Sequence, residues 1–597
     1  MPSLQDPLVL RTYDYKNIVL KNSSFKKQFD EVLKYILNLP NDDILYGFRK
    51  RAFGDTPPGR ELGGWYTNDS SCYTILSIYE WDEIFNTFGQ WLSFLGRAYV
   101  ITGDNRVFEK AEYLLTEWGS TIEKDGYFFY SRQCNAEHYS YEKIFGGLVD
   151  LYLSANMEKA RVYAEIITDW VEKNLSRARI PAAVNRERFT GGNPDIKSID
   201  NEWYTLPENL YRMYIATGDN RYKEFAQIWH YDAYWDAMRN KDPNYLTRVH
   251  GYSHVNSLGS AAMAYRIHGN RNFLETIINA YEVLKQYQLM ASGGYAFNEH
   301  MADTYGSNYK DVEFIAKSFE VPCGSWAIFK LVKHLITLTG EARYGAWAET
   351  ALYNAMLGAL PIKDDEIRRG KTFYYADYRI GGGRKVYYEH SYPCCSGTYP
   401  QAIAEYHNLI YYHNDDCLYI SQYIQSKLDT IINGKNVSLE IAGDYPYSGD
   451  ISVIINTSGR VKIALRIPSW TKEDDVVLHI NGEKINTVAR PDEWLYIDRE
   501  WQNSDLLTIC FKMKLWTYPI TQYHQERAAL MYGPIMLAAK GRYTKIKGDI
   551  LNPSSIAKTD GTLTFIAKDI LGMDVEFKPY FLFKEKEWYT VYCDFEV

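Results

Sequence analysis

Four short punctuation marks divide the first two-thirds of the chain: Thr102-Gly103-Asp104-Asn105-Arg106, Thr217-Gly218-Asp219-Asn220-Arg221, His268-Gly269-Asn270-Arg271 and Thr339-Gly340-Glu341. An amphipathic stretch precedes each, such as WLSFLGRAYVI or AIFKLVKHLITL, and another follows, such as VFEKAEYLLTEW or FLETIINAYEVL. Glycine closes a helix in the left-handed conformation, and the acidic or amide residue after it caps the next helix. The chain therefore reads as a series of helical hairpins with short turns. Stacked hairpins of this number either spiral as a solenoid or close into a ring. The uneven spacing of the marks and the long inserts between them disfavour a solenoid. They predict a closed α/α barrel over 21–414, with a central pocket built by its loops.

From about residue 415 the period changes. Segments such as VSLEIAGDYPY, ISVIINT and VKIALRIPSW are short, β-branched and broken by Gly, Asn, Asp and Pro. This spacing predicts a β-sandwich domain over 415–517 and a second β-rich domain over 518–597. The opening LVLRTYDYKNIVL is also strand-like, so residues 1–20 are expected to pack on the β region.

Among 597 residues, 66 Lys and Arg stand against 75 Asp and Glu, a net charge of -9 that disfavours a nucleic-acid partner. The 53 Tyr and 15 Trp suit a hydroxyl-rich ligand such as a sugar, because each ring pairs an apolar face with a polar edge. No run of about 18 apolar residues occurs, so no membrane partner is expected. The N-terminus lacks the pattern of a secretory signal, and the chain as given reads as cytoplasmic. Eight cysteines are too few for a disulfide scaffold. Five, including Cys72, are dispersed; three gather around one feature.

That feature is Ser391-Tyr392-Pro393-Cys394-Cys395-Ser396-Gly397-Thr398, followed by the helical run QAIAEYHNLIYY. Thiols at a loop-to-helix junction are stabilised as thiolates by backbone N–H groups and the helix dipole. Alone, the pair reads equally as buried structural thiols or a vicinal disulfide. Glu320-Val321-Pro322-Cys323, at the start of another helix, adds a third thiol and a carboxylate, together four candidate zinc ligands. Glu299 follows a glycine-rich turn beside aromatics, where a carboxyl can serve as general acid or remain a solvated loop residue. His250 and His254 have i, i+4 spacing, open to metal, sugar or helix-capping roles. Glu142-Lys143 and Asn201-Glu202 open helices and read as dipole or capping partners. Gly381-Gly382-Gly383-Arg384 lacks the context of a phosphate loop and reads as a hairpin turn.

Together these motifs resemble the β-L-arabinofuranosidase family of glycoside hydrolases. The likeness spans nearly the whole chain, through Gly63-Gly64-Trp65, the GLVDLY stretch, His250 to His254, Glu299, the Cys323 helix, Cys394 to Thr398, Tyr445-Pro446-Tyr447, Ile467-Pro468-Ser469-Trp470 and Met531-Tyr532-Gly533-Pro534. It implies an (α/α)6 barrel followed by β-sandwich domains. It further implies zinc bound by Cys323, Cys394, Cys395 and Glu320, with Cys394 as nucleophile and Glu299 as acid/base. The expected substrate is a small oligosaccharide or glycoside, held by His250, His254, Tyr375, Glu142, Gln90 and Glu202; a homodimer stays open. This sequence departs from the family's Glu-x-Cys spacing at Glu320, from Gly-His-Tyr at Gly89-Gln90-Trp91, and from a frequent histidine at Glu142. Two other readings stand beside this one: a lyase or inverting hydrolase using carboxylates such as Glu299 and Glu202, and a non-catalytic sugar-binding protein.

Overall fold

The computed structural model describes residues 7–596 apart from 55, 67–86, 133, 135–136, 176–201, 305, 365–368 and 549–562; Cys72 and Asn201 lie outside the described residues. The described α-helices are α1 Ser24–Asn38, α2 Asn41–Phe53, α3 Phe88–Thr102, α4 Asn105–Ser120, α5 Glu137–Ala155, α6 Glu158–Asn174, α7 Leu206–Thr217 and α8 Asn220–Ile228. They continue with α9 Asp232–Arg239, α10 Gly251–His268, α11 Arg271–Tyr287, α12 Asn308–Phe314, α13 Val321–Thr339, α14 Gly345–Thr350 and α15 Cys395–Ile410. The punctuation marks do what their chemistry dictates. Gly103, Gly218, Gly269 and Gly340 end their helices in the left-handed conformation. Asp104, Asp219 and Asn270 each accept from the backbone N–H two residues on, which starts the next helix. Each such cap contributes about 1 kcal/mol.

Six helices form a closed inner ring. α3 packs on α5, α5 on α7, α7 on α10, α10 on α13, α13 on α15, and α15 returns to α3. α4, α6, α8, α11, α14 and α1 pack outside them. Burial separates the two layers. Every residue of α15 is buried, as an inner helix requires, whereas α4 buries only the stripe Val107, Lys110, Ala111, Leu114, Leu115 and Trp118.

Two helices differ from their sequence pattern. The stretch after Gly340 is not one helix but a short 3-10 turn, then α14, then a π-helical turn Ala351–Met356. α15 starts at Cys395 and carries Pro400 inside it. A proline has no N–H to give the carbonyl four residues back. Here the Trp91 indole donates to that carbonyl, Ser396 O, at 3.1 Å, so the helix continues without an orphaned acceptor.

After α15 the chain forms sheets. A five-stranded sheet includes Tyr411–His413, Cys417–Ile420, Gly459–Arg466 and Trp494–Trp501, with Arg11–Thr12 pairing at its edge. A seven-stranded sheet takes Ile18–Leu20 at its edge, with Ile18 opposite Leu428. The N-terminal segment is thus shared between both sheets. Leu515–Thr521 pairs with His524–Tyr532 in a third sheet, so a boundary at 517/518 falls inside a strand; the Lys512–Lys514 stretch, outside any strand, separates the sheets, because pairing rather than composition defines the unit. Trp588–Thr590 of that sheet pairs with Gly383–Arg384, the strand that leaves the glycine-rich turn. Among the described residues, no helix is long and apolar enough to cross a membrane.

Candidate active site

Two helix N-termini meet at the mouth of the ring. Cys394 is the N-cap residue of α15 and Cys395 its first residue; Glu320 is the N-cap residue of α13 and Cys323 lies in its first turn. An N-cap residue and the third helical residue share one side of a helix, as reciprocal capping pairs show. The three-residue step from Glu320 to Cys323 therefore keeps both side chains on the same side. Pro322 costs nothing there, because first-turn N–H groups have no helical partner.

The result is a compact donor set. Cys323 Sγ lies 3.5 Å from Cys394 Sγ and 3.3 Å from Cys395 Sγ. Glu320 Oε1 lies 3.5 Å from both Cys394 Sγ and Cys395 Sγ. One ligand atom from each of the four residues falls within 4.8 Å of the others. Zinc–sulfur bonds of about 2.3 Å in a tetrahedron set sulfurs about 3.8 Å apart, so the spacing fits a closed metal site. Glu320 Oε2 is buried with no hydrogen-bond partner, and burial pushes the Glu320 carboxyl well above its ordinary range, with negative Cys394 adding to the shift. An orphaned oxygen and three crowded thiols are what a soft cation would satisfy.

The three thiols are not equivalent. Cys394 retains 8% of its surface exposed, whereas Cys323 and Cys395 retain none. Burial pushes the Cys394 thiol up, but donation from Cys323, Cys395 and Tyr374 outweighs it and holds the thiol well below its ordinary value. Burial pushes Cys323 and Cys395 up. Cys394 is the thiol of the set that ionises most readily and the sulfur that a ligand can reach.

Glu299 faces it across one hydroxyl. Tyr374 Oη lies 2.7 Å from Glu299 Oε1 and 3.3 Å from Cys394 Sγ, which puts sulfur and carboxylate within about 6 Å of each other. Tyr375 donates to the same Glu299 oxygen. Tyr375 is set by a two-residue ladder in which it is register partner of Glu320, and Tyr374, just before that strand, accepts from Val321 N–H at 2.9 Å. The loop holding Glu299 is strained: Ala296, Asn298 and Glu299 all have positive φ, fixed in part by Gly251 N–H donating to Glu299 O at 2.7 Å.

His250, at the start of α10, links two carboxylates. Its Nε2 lies 3.7 Å from Glu299 and its Nδ1 3.5 Å from Glu202. Burial lowers the His250 pKa, so the ring is neutral. Burial pushes the Glu202 carboxyl up to about 8 against the pull of Lys143. Lys143 Nζ lies 2.6 Å from Glu142, which also accepts from Asn209 Nδ2 at 2.9 Å. Gln90 packs against Gly397, where a Cβ would come 2.2 Å from its Oε1, and neither amide atom has a partner. His254 is set apart in an aromatic box of Tyr204, Tyr231 and Tyr234, its Nδ1 on the His250 carbonyl, and burial lowers its pKa to about 3. The helical spacing that pairs His250 with His254 does not bring both to Glu299. Sequence reading named Tyr375 and missed Tyr374, since nothing in the local pattern separates one tyrosine from its neighbour. Both reach Glu299 because Tyr374 precedes the strand and is free of its alternation.

Residues 17–408 match the β-L-arabinofuranosidase GH127 catalytic domain, and 417–513 the GH127 middle domain. No curated protein sequence matches the chain. Among solved structures, a GH127 β-arabinofuranosidase is similar at TM-score 0.70 and 16% identity, covering 100% of this chain and 99% of its own. A GH127 β-L-arabinofuranosidase from Geobacillus stearothermophilus T6 is similar at TM-score 0.67 and 16% identity, covering 97% and 100%. These structures share the fold. The family match covers well over half of the chain, which belongs to the β-L-arabinofuranosidase GH127 family and is a glycoside hydrolase.

Proposed function

We propose that the chain is a retaining, exo-acting hydrolase that releases a terminal pentofuranose-type sugar through a covalent intermediate on Cys394. The observation that carries this reading is the shared Tyr374 hydroxyl, which sets the accessible, low-pKa thiol within about 6 Å of Glu299. Carboxyl pairs of retaining glycosidases stand about 5–5.5 Å apart. In the first step Cys394 Sγ attacks the anomeric carbon while Glu299 donates its proton to the departing glycosidic oxygen. In the second, Glu299 takes a proton from water, whose oxygen attacks the same carbon and releases Cys394 as thiolate. Tyr374 and Tyr375 hold the Glu299 carboxylate by one oxygen and leave the other free for proton transfer. His250, Gln90, Glu142 and Glu202 are the polar contacts available to sugar hydroxyls.

Cys323, Cys394, Cys395 and Glu320 would hold zinc, whose positive charge would keep the Cys394 sulfur ionised at neutral pH and improve it as a leaving group. One observation favours a second reading. The raised Glu202 carboxyl, near His250, is protonated at neutral pH and has the character of a general acid in a two-carboxylate inverting mechanism. Intact-mass spectrometry decides between them. Glu299→Gln mixed with an aryl furanoside carrying a good leaving group should accumulate one sugar unit on the peptide containing Cys394. An inverting enzyme shows no adduct.

A further inference from the structure

A groove on the outside of the barrel carries no part of the candidate site. It lies between α11 of the outer layer and the strand Leu515–Thr521 of the third sheet, and has a volume of about 870 Å³. That is within the roughly 300–1,000 Å³ of clefts that hold small ligands, which are frequent where domains meet. We infer that this groove is a second saccharide-binding site, which holds a neutral, hydroxyl-rich chain apart from the sugar that is cleaved.

Polar groups left without partners carry the inference. Tyr518 is half-buried, and burial pushes its phenol up to about 12, yet no described residue hydrogen-bonds to its hydroxyl. Tyr287 lines the α11 wall, and its hydroxyl is likewise without a partner among the described residues. A polar group shielded from water and left unpaired is a cost to the fold that a ligand hydroxyl removes. Amides lie beside the two rings. The side chains of Gln286 and Gln522 make no hydrogen bond among the described residues. Asn279 Nδ2 donates to Arg239 O at 2.6 Å and Gln525 Nε2 to Gln522 O at 3.1 Å, which leaves both amide oxygens to accept.

This mixture of groups sets the ligand class. Phenols and amides both donate and accept, as sugar hydroxyls do, and an aromatic face covers the apolar side of a sugar ring. The charges do not call for an ion: Arg343 is paired with Glu282 and Glu341, and Lys241 and Lys285 are open to water. A peptide strand fits the same place poorly. Leu515–Thr521 pairs only with His524–Tyr532 among the described strands and so presents an edge. Pro519 lacks an N–H there, and the register shifts between Pro519 and Thr521, which spoils the edge for a further strand. A polymer held in the groove keeps its own chain ends near the barrel, which raises their local concentration. The inference requires a glycoside hydrolase, which the family match shows, and does not require a cysteine nucleophile.

Native gels of the full-length protein test the site, cast with arabinan or arabinogalactan as neutral polymers, or with acidic polygalacturonate. We expect a neutral polymer to retard the protein. Tyr518→Phe keeps the ring, and the double variant Gln286→Ala with Gln522→Ala changes two exposed positions. Each should weaken that binding about threefold to tenfold, the worth of one neutral hydrogen bond. Activity on a small aryl furanoside should be unchanged in both, because no lining residue belongs to the candidate site. Absent turnover in the unsubstituted protein counts against the proposed function alone, since the gels need no catalysis. No retardation by either neutral polymer, retardation unchanged in both variants, or stronger retardation by polygalacturonate would overturn the second site.

Discussion

The Tyr374 hydroxyl donates to Glu299 Oε1 at 2.7 Å. The Tyr374 hydroxyl oxygen also stands 3.3 Å from Cys394 Sγ, so one phenol links the acid and the sulfur, its single proton serving one of them at a time. Tyr374→Phe removes both contacts and leaves the Tyr375 bond to Glu299. The expected result is a fall in kcat of about tenfold to a hundredfold with little change in KM, because ground-state sugar contacts remain. Initial rates on an aryl furanoside check it. An unchanged kcat refutes the bridging role.

The donor set predicts metal content. Elemental analysis of freshly reduced protein should find zinc at one per chain. Chelation should lower the melting temperature, and added zinc should restore it, since a ligand that binds only the folded state stabilises it. Glu320→Gln keeps the three sulfurs and the shape but loses the anionic oxygen at 3.5 Å from two of them. It should retain less zinc than the unsubstituted protein and more than Cys323→Ser. Equal zinc in all three proteins would show that Glu320 is not a ligand.

Much of this arrangement was legible in the chain, and the reason is local. Gly103 and Asp104, or Gly218 and Asp219, encode a helix stop and a helix start in adjacent residues, and the structure uses them so. Cys323 and the Cys394-Cys395 pair stood out because thiols are scarce. What was not legible depends on distant partners. The left-handed backbone at Asn298 and Glu299 is held by Lys317 O and by Gly251 N–H, neither of which their own segment names. Pro400 inside α15 is tolerated because Trp91, some three hundred positions earlier, donates to the freed carbonyl. The β-branched pattern showed strands after residue 415. It could not show that Arg11–Thr12 and Ile18–Leu20 would be divided between two sheets, since pairing is a choice between surfaces far apart in sequence.

Glu202 predicts a pH dependence of stability. Burial raises its carboxyl from 4.5 to about 8, so between those values the folded chain holds a proton that the unfolded chain has released. Stability from this group is complete below about pH 4.5 and is lost as pH rises toward 8, by about 1.4 kcal/mol per unit at most. Glu202→Gln stays neutral throughout. Its melting temperature should fall less than that of the unsubstituted protein between pH 6 and pH 9, values chosen to bracket the raised pKa. Parallel curves would mean that Lys143 keeps Glu202 ionised.

Gly89 in α3 and Gly147 in α5 let the two inner helices touch backbone to backbone. A Cβ on Gly89 would come 2.1 Å from Lys143 O, and one on Gly147 would come 2.2 Å from Gly89 O. Neither obstacle is a flexible side chain, so an added methyl must push the helices apart. Gly96, two turns further along α3, is less confined: its Cβ would meet Asp150 O at 3.1 Å. Alanine gains about 1 kcal/mol over glycine in helix propensity, which offsets mild crowding but not a backbone clash. Gly89→Ala should therefore destabilise the chain by about 1–3 kcal/mol, while Gly96→Ala should be near neutral. Chemical denaturation of the two variants measures the difference. Activity should follow the same order, because spreading α3 from α5 moves Gln90 and Glu142, two of the proposed sugar contacts, away from each other. If Gly96→Ala proves the more damaging of the two, the close α3–α5 contact is not what fixes that end of the ring.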